Sequence, residues 1–194
     1  MSLLASSSTV ALIVFSLLVP QKPGAVRRPT APETFRASAK VSNEGLAGAG
    51  YVDIHINKYA TDKEREALLT AFKSGGYPAL LTALRKAPTL GTVKVGGDTF
   101  EVRWAREQRS GENRRTITVV TDKPMLFVGG GNVNAKPREG YDLAVIQFDM
   151  DDSGVGNGTM AAAAKIKPGG PNGFELDDYA DQPIKLVSIS RSLS

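Results

Sequence analysis

Short turn signals divide the second half of this 194-residue chain into stretches of alternating apolar and polar residues. The turns are Gly96-Gly97-Asp98, Ser110-Gly-Glu-Asn113, Asp151-Asp-Ser-Gly154 and Lys167-Pro-Gly-Gly-Pro-Asn-Gly173. Connections this short join antiparallel strands, because a parallel pair needs a crossover of a dozen or more residues. The 20 glycines and 11 prolines of the chain suit many turns and many short strands. The pattern predicts strands over Tyr51–Tyr59, Thr92–Val95, Thr99–Gln108, Arg115–Thr121, Leu143–Met150, 155–167, Phe174–Leu176 and Pro183–Ser190. Val52, Ile54 and Ile56 share one face of the first, with Asp53, His55 and Asn57 on the other. Phe100, Val102 and Trp104 share a face of the third, and Ala144, Ile146, Phe148 and Met150 a face of the fifth.

One segment departs from this period. Thr61-Asp-Lys-Glu64 has the spacing of a capping box, in which the Thr61 hydroxyl and the Glu64 carboxylate satisfy each other's backbone amides. Leu68, Leu69 and Phe72 form an apolar stripe behind it, and Gly75-Gly76 ends the helix. Pro78 opens a second helix carrying Leu80, Leu81 and Leu84, and Pro88 follows its end. The expected fold is α+β: an antiparallel β-sheet or partly closed barrel of seven to eight strands, with an αα-hairpin packed on it. A DNA-reading helix-turn-helix has a similar outline but reads bases from the N-terminal part of its second helix. Here the only basic residues of that helix, Arg85 and Lys86, lie at its C-terminal end.

The first 20 residues carry no charged side chain, and Val10–Val19 is an apolar core. That run is shorter than the roughly 20 residues of a membrane span and fits the h-region of a secretory signal, about 7–15 residues. Lys22, Arg27 and Arg28 follow the run instead of preceding it, and no clean cleavage site stands out, so an uncleaved anchor is the alternative. The reading is a leader over 1–25, a flexible linker over 26–50, rich in proline and small residues, and a single α+β domain over 51–191. It implies a periplasmic or extracellular location, with membrane contact only through residues 1–20. The chain has no cysteine, so it has neither a disulfide framework nor a thiolate nucleophile. A pI near 9.3 suggests nucleic acid, but residues 1–40 hold five basic groups against one acid, and the rest holds 19 of each. The domain is electrically balanced, which argues against a nucleic-acid partner.

Candidate chemistry is sparse. Asp149-Met-Asp151-Asp-Ser153-Gly154 matches the opening of a calcium loop, with Asp149, Asp151 and Ser153 as oxygen ligands. The carboxylate expected at the loop's twelfth position is replaced by Met160, and a hairpin turn uses the same residue types. His55 is the single histidine, too few for a histidine zinc site, and no nucleophile elbow occurs. Gly45–Gly50 precedes a strand, and no helix opens after Gly129–Asn132, so neither fits a nucleotide loop. Arg103, Arg106, Arg109, Arg114 and Arg115 crowd one hairpin among Glu101, Glu107 and Glu112. They could clamp a carboxylate or an anionic headgroup, or form a charge-paired face.

Val52-Asp-Ile-His-Ile-Asn57, the capped helices from Thr61, Thr118–Pro124, Ile146–Gly158 and Glu175–Ile189 resemble small exported bacterial proteins of unknown function. The resemblance implies an extracytoplasmic β-rich domain and brings no catalytic residues. The sequence therefore leads to a non-catalytic module acting on a protein or envelope surface. The alternative is a carrier holding a small apolar ligand between sheet and helices, at Leu68, Phe72, Leu80 and Leu84 with Arg103 and Arg106. A hydrolase is the third reading, without a visible constellation. An unfilled apolar cavity would favour the carrier, and an exposed apolar patch the surface module.

Overall fold

The computed structural model describes residues 31–43, 46–109, 114–125, 139–170, 173–180 and 183–192. The expected leader over 1–25, the Ser110–Asn113 turn and the Gly129–Asn132 cluster lie outside the described residues.

The alternation read from the sequence produces nine strands: β1 (Glu33–Asn43), β2 (Leu46–Ile56), β3 (Gly91–Val95), β4 (Asp98–Arg109), β5 (Arg114–Thr121), β6 (Leu143–Asp151), β7 (Val155–Pro168), β8 (Phe174–Tyr179) and β9 (Ile184–Ser192). All pairings are antiparallel, in the order β6-β5-β4-β3-β2-β1-β9-β7-β8, and β6 also pairs with β7. That last pairing closes eight strands into a barrel and leaves β8 as an extra strand on the flank of β7. The fold is thus mostly β, which corrects the expected α+β sheet or partly closed barrel. The cause lies in residues 33–50, read above as part of a linker. Glu33–Asn43 instead forms the stave between β2 and β9, and β2 begins at Leu46. Its inward residues Phe35, Ala37 and Ala39 are fully buried, but two of them are alanines, which give a weak apolar signal.

The expected helix pair is also corrected. A single helix, α1 (Asp62–Lys86), runs through the segment and is bent at Gly75 and Gly76. Their φ/ψ values of −153°/20° and 65°/−154° leave the helical range, and the second is open essentially to glycine alone. Pro78 sits just past the break, in the first turn of the second arm, where its missing N–H leaves little unsatisfied. The capping box forms as expected: Thr61 N donates to Glu64 Oε2 at 2.7 Å, and Glu64 N donates to Thr61 Oγ1 at 3.2 Å. Leu68 on the first arm and Leu80 and Leu84 on the second are buried against the barrel.

Register assigns the two faces of the barrel wall. Phe35 opposes Ile54, Ala37 opposes Val52, and Ile117 opposes Phe148, and directly opposed residues share a face. These side chains fill the lumen, as expected for eight strands, with Phe35 and Phe148 edge to face at 5.1 Å. Thr34, Arg36, Ser38 and Lys40 point outward from β1, and Asp53 and His55 from β2. An apolar inside and a polar outside reverse the order of a membrane barrel. Among the described residues no helix is long and apolar enough to cross a membrane.

One end of the lumen is closed by charge. Glu33, Glu107, Arg109, Arg115 and Arg191 all lie at inward register positions. The fully buried Glu33 carboxylate accepts from Arg115 Nη1 and Nη2 at 3.0 and 2.9 Å and from the Tyr59 hydroxyl at 2.5 Å. It also pairs with Arg191 Nε at 2.9 Å. Glu107 takes Arg115 Nη1 at 3.2 Å and Arg109 Nε at 2.9 Å. Burial works most strongly against the charge of Arg115, but the Glu33 bond and the charges of Glu33, Tyr59 and Glu107 together outweigh it and its pKa is raised. Burial first, and then the Glu33 carboxylate, push the Tyr59 hydroxyl far above its usual range.

Candidate functional site

The site begins with one extra residue in β4. Val102 pairs with Thr121 and Trp104 with Val120, so two positions on β4 span one on β5. Such a bulge brings neighbouring side chains to the same side of the sheet. Arg103 and Trp104 therefore both face outward beneath α1, whereas strict alternation would put Trp104 on the lumen side with Phe100 and Val102. The expected grouping of those three on one face is corrected accordingly. Ala105, Glu107 and Arg109 take the inward positions beyond the bulge.

The bend in α1 supplies the opposite wall. Glu64, Ala67 and Leu68 from the first arm and Ala83 and Lys86 from the second line one cavity with Arg103 and Trp104. The segment from Ala87 to Leu90 closes one side, and Ala60, whose N–H donates to Ala105 O at 2.7 Å, closes another. The cavity measures about 370 Å³, within the range of roughly 300–1,000 Å³ typical of small-molecule sites. Alanines at 60, 67, 83 and 87 leave this space, since larger side chains there would fill it. Trp104 is held from behind by Phe174 of β8, edge to face at 5.2 Å.

Polar groups at the cavity are mostly committed. Arg103 Nη1 donates to Ala87 O at 2.7 Å, and Nη2 bonds Glu101 and pairs with Asp122 at 3.5 Å. Glu64 is saturated by Thr61 and by Lys58 at 3.4 Å. Burial opposes its ionisation most strongly, but the Thr61 bonds and Lys58 together prevail and its pKa is lowered. Three donors remain. Trp104 Nε1 and Arg103 Nε are buried and meet no acceptor. The exposed Lys86 forms none of the ion pairs found among the described residues.

Of the residues expected to bind a ligand, Leu68 and Arg103 line this cavity. Leu80 and Leu84 are fully buried core residues and Phe72 packs against that core, so these three contribute to folding and not to the cavity wall. Arg106 instead pairs with Asp62 at 2.7 Å, tying the start of α1 to β4 and holding the Asp62 carboxyl below its usual range. The candidate calcium residues are engaged locally. Asp149 Oδ1 accepts from Thr116 Oγ1 at 2.5 Å, while Asp151 Oδ1 accepts from Ser153 Oγ at 2.5 Å and Val155 N at 3.1 Å. Those bonds, the Ser153 one first, lower the Asp151 pKa. They build the β6–β7 turn, which Gly154 completes at φ 79°. Among the described residues no three His, Cys, Asp or Glu gather into a metal-binding group. His55 Nδ1 lies 2.8 Å from Thr34 Oγ1 on the outer wall, away from the cavity. Trp104, Lys86 and the alanines were not anticipated. Their role depends on a bulge and a bend, and only the bend has a sequence signal, Gly75-Gly76.

A smaller cavity of about 270 Å³ lies under β8, lined by Gln108, Thr118, Gln147, Phe174 and Leu176 among others. No family model matches the chain, and neither a curated protein nor a solved structure matches it significantly. The comparisons accordingly assign it to no catalytic family.

Proposed function

We propose that this chain is a binding protein for a small apolar ligand, held between the bent helix α1 and the barrel wall at Trp104. The observation that carries this reading is the cavity of about 370 Å³, walled by alanines, Leu68, Leu90 and Trp104. Such a concave apolar space with a few polar groups is the usual form of a small-molecule site. The alternative, a surface module, would favour a broad exposed apolar patch. Among the described residues, the large apolar residues found exposed are Tyr51 on β2, Val155 on β7, and Leu176 and Tyr179 on β8, spread over three strands. The apolar run Val10–Val19 supports an extracytoplasmic place of action for such a carrier.

Trp104 is the single tryptophan of the chain, so its emission reports on the cavity without interference. Titration with decanol should shift that emission to saturation. Ala67→Phe, which fills the cavity from an exposed helix position, should abolish the shift while leaving thermal unfolding nearly unchanged. An identical titration curve for Ala67→Phe would overturn the assignment.

A further inference from the structure

Resting on the ligand reading of this cavity, the geometry points to an anionic amphiphile, a single-chain carboxylate, as the class of ligand. The walls are apolar, so the body of the ligand must be apolar as well. Among the charged side chains of the lining, the Lys86 ammonium is the one left over, and it is a donor. The one acceptor side chain in the lining, Glu64, is already bonded by Thr61 and Lys58. A ligand that brings only donors finds no partner there, whereas one that brings an oxygen acceptor is met by Lys86.

Charge takes the argument from acceptor to anion. Arg103 is balanced by Glu101 and Asp122, and Glu64 by Lys58. Lys86 is the cation at the lining without a carboxylate partner among the described residues. It also stands at the C-terminal end of α1, where a cation interacts favourably with the helix dipole. The ammonium is thereby kept at the rim with its charge still available to a ligand. A carboxylate head at Lys86 and an alkyl tail over Ala67, Leu68, Ala83 and Trp104 match the polarity of the cavity from rim to floor.

The test compares decanoate with decanol, which share a tail and differ in the head, by Trp104 emission on the full chain freed of lipid. Decanoate should bind about tenfold tighter, and raised salt should weaken decanoate alone. Lys86→Gln, an exposed change, should remove most of that preference, read as the ratio of the two affinities in the same variant. Equal affinity for the two probes, or a preference that survives in Lys86→Gln, overturns the anionic class while the cavity reading stands. Failure of both probes to bind overturns the cavity reading itself.

Discussion

Removing the Glu33 carboxylate should destabilise the barrel far more than removing any surface charge. Glu33 is fully buried, and its two oxygens take both Arg115 nitrogens, the Tyr59 hydroxyl and Arg191 Nε. In Glu33→Ala the Arg115 side chain, only 10% exposed, keeps one carboxylate partner among the described residues, Glu107 at 3.2 Å. Arg191, 34% exposed, can turn to water, but the Tyr59 hydroxyl loses the acceptor it is bonded to. Breaking one partner out of a buried pair costs about 3–5 kcal/mol. The lost Tyr59 bond places Glu33→Ala towards the upper end of that range. Glu33→Gln retains one acceptor oxygen but loses the charge and turns an NH2 donor towards donors that the other oxygen accepted from, so about 2–3 kcal/mol is expected. Replacing both partners, as in Glu33→Leu with Arg115→Met, removes the buried charge that makes the single change costly. The double variant should lie at least about 2 kcal/mol above the sum of the two singles. Equilibrium urea unfolding measures each variant, with m unchanged if only the native state is affected. A Glu33→Ala cost below about 1 kcal/mol at unchanged m, the size of an exposed pair, would refute the buried charged closure.

Other substitutions test separate parts of the structure. Gly91→Ala should cost more than about 2 kcal/mol in the same assay, because its Cβ would stand 2.0 Å from the His55 carbonyl oxygen on paired β2. Gly76→Ala should cost about 1–3 kcal/mol, since φ 65° with ψ −154° strains any L side chain; a neutral result would mean that α1 is not bent there. Thr61→Ala should cost about 1 kcal/mol through loss of the cap. Glu64 has a lowered folded-state pKa, so its contribution is complete above the unfolded value near 4.3. It disappears as pH falls through the folded value. The difference in thermal stability between the native chain and Glu64→Gln should accordingly be present at neutral pH and vanish in acid.

Local signals in the chain were readable where a few neighbouring residues satisfy one another's backbone groups. Thr61 and Glu64 formed the capping box, and Asp151, Ser153 and Gly154 formed a hairpin turn. β1 was missed because its lumen-facing residues after Phe35 are Ala37 and Ala39, small enough to fit a crowded lumen but too weakly apolar to mark a strand. Without β1 the strands β2 and β9 have free edges, so the sheet reads as open, and closure followed from that one strand. The site was half legible. Leu68 and Arg103 line the cavity, whereas Leu80, Leu84 and Phe72 belong to the packing of α1. Periodicity could not separate the two groups, because an apolar helix face looks alike whether it meets a wall or a cavity. Trp104 was placed on the wrong face because a bulge shifts parity by one residue with no glycine or proline to mark it.

The most direct test of the binding account is the location of a brominated ligand. Crystals of the chain grown with bromodecanol, whose bromine gives an anomalous signal, should show that signal between the two arms of α1, against Trp104 and Ala67. A bromine peak in the barrel lumen, under β8, or nowhere on the protein would contradict it.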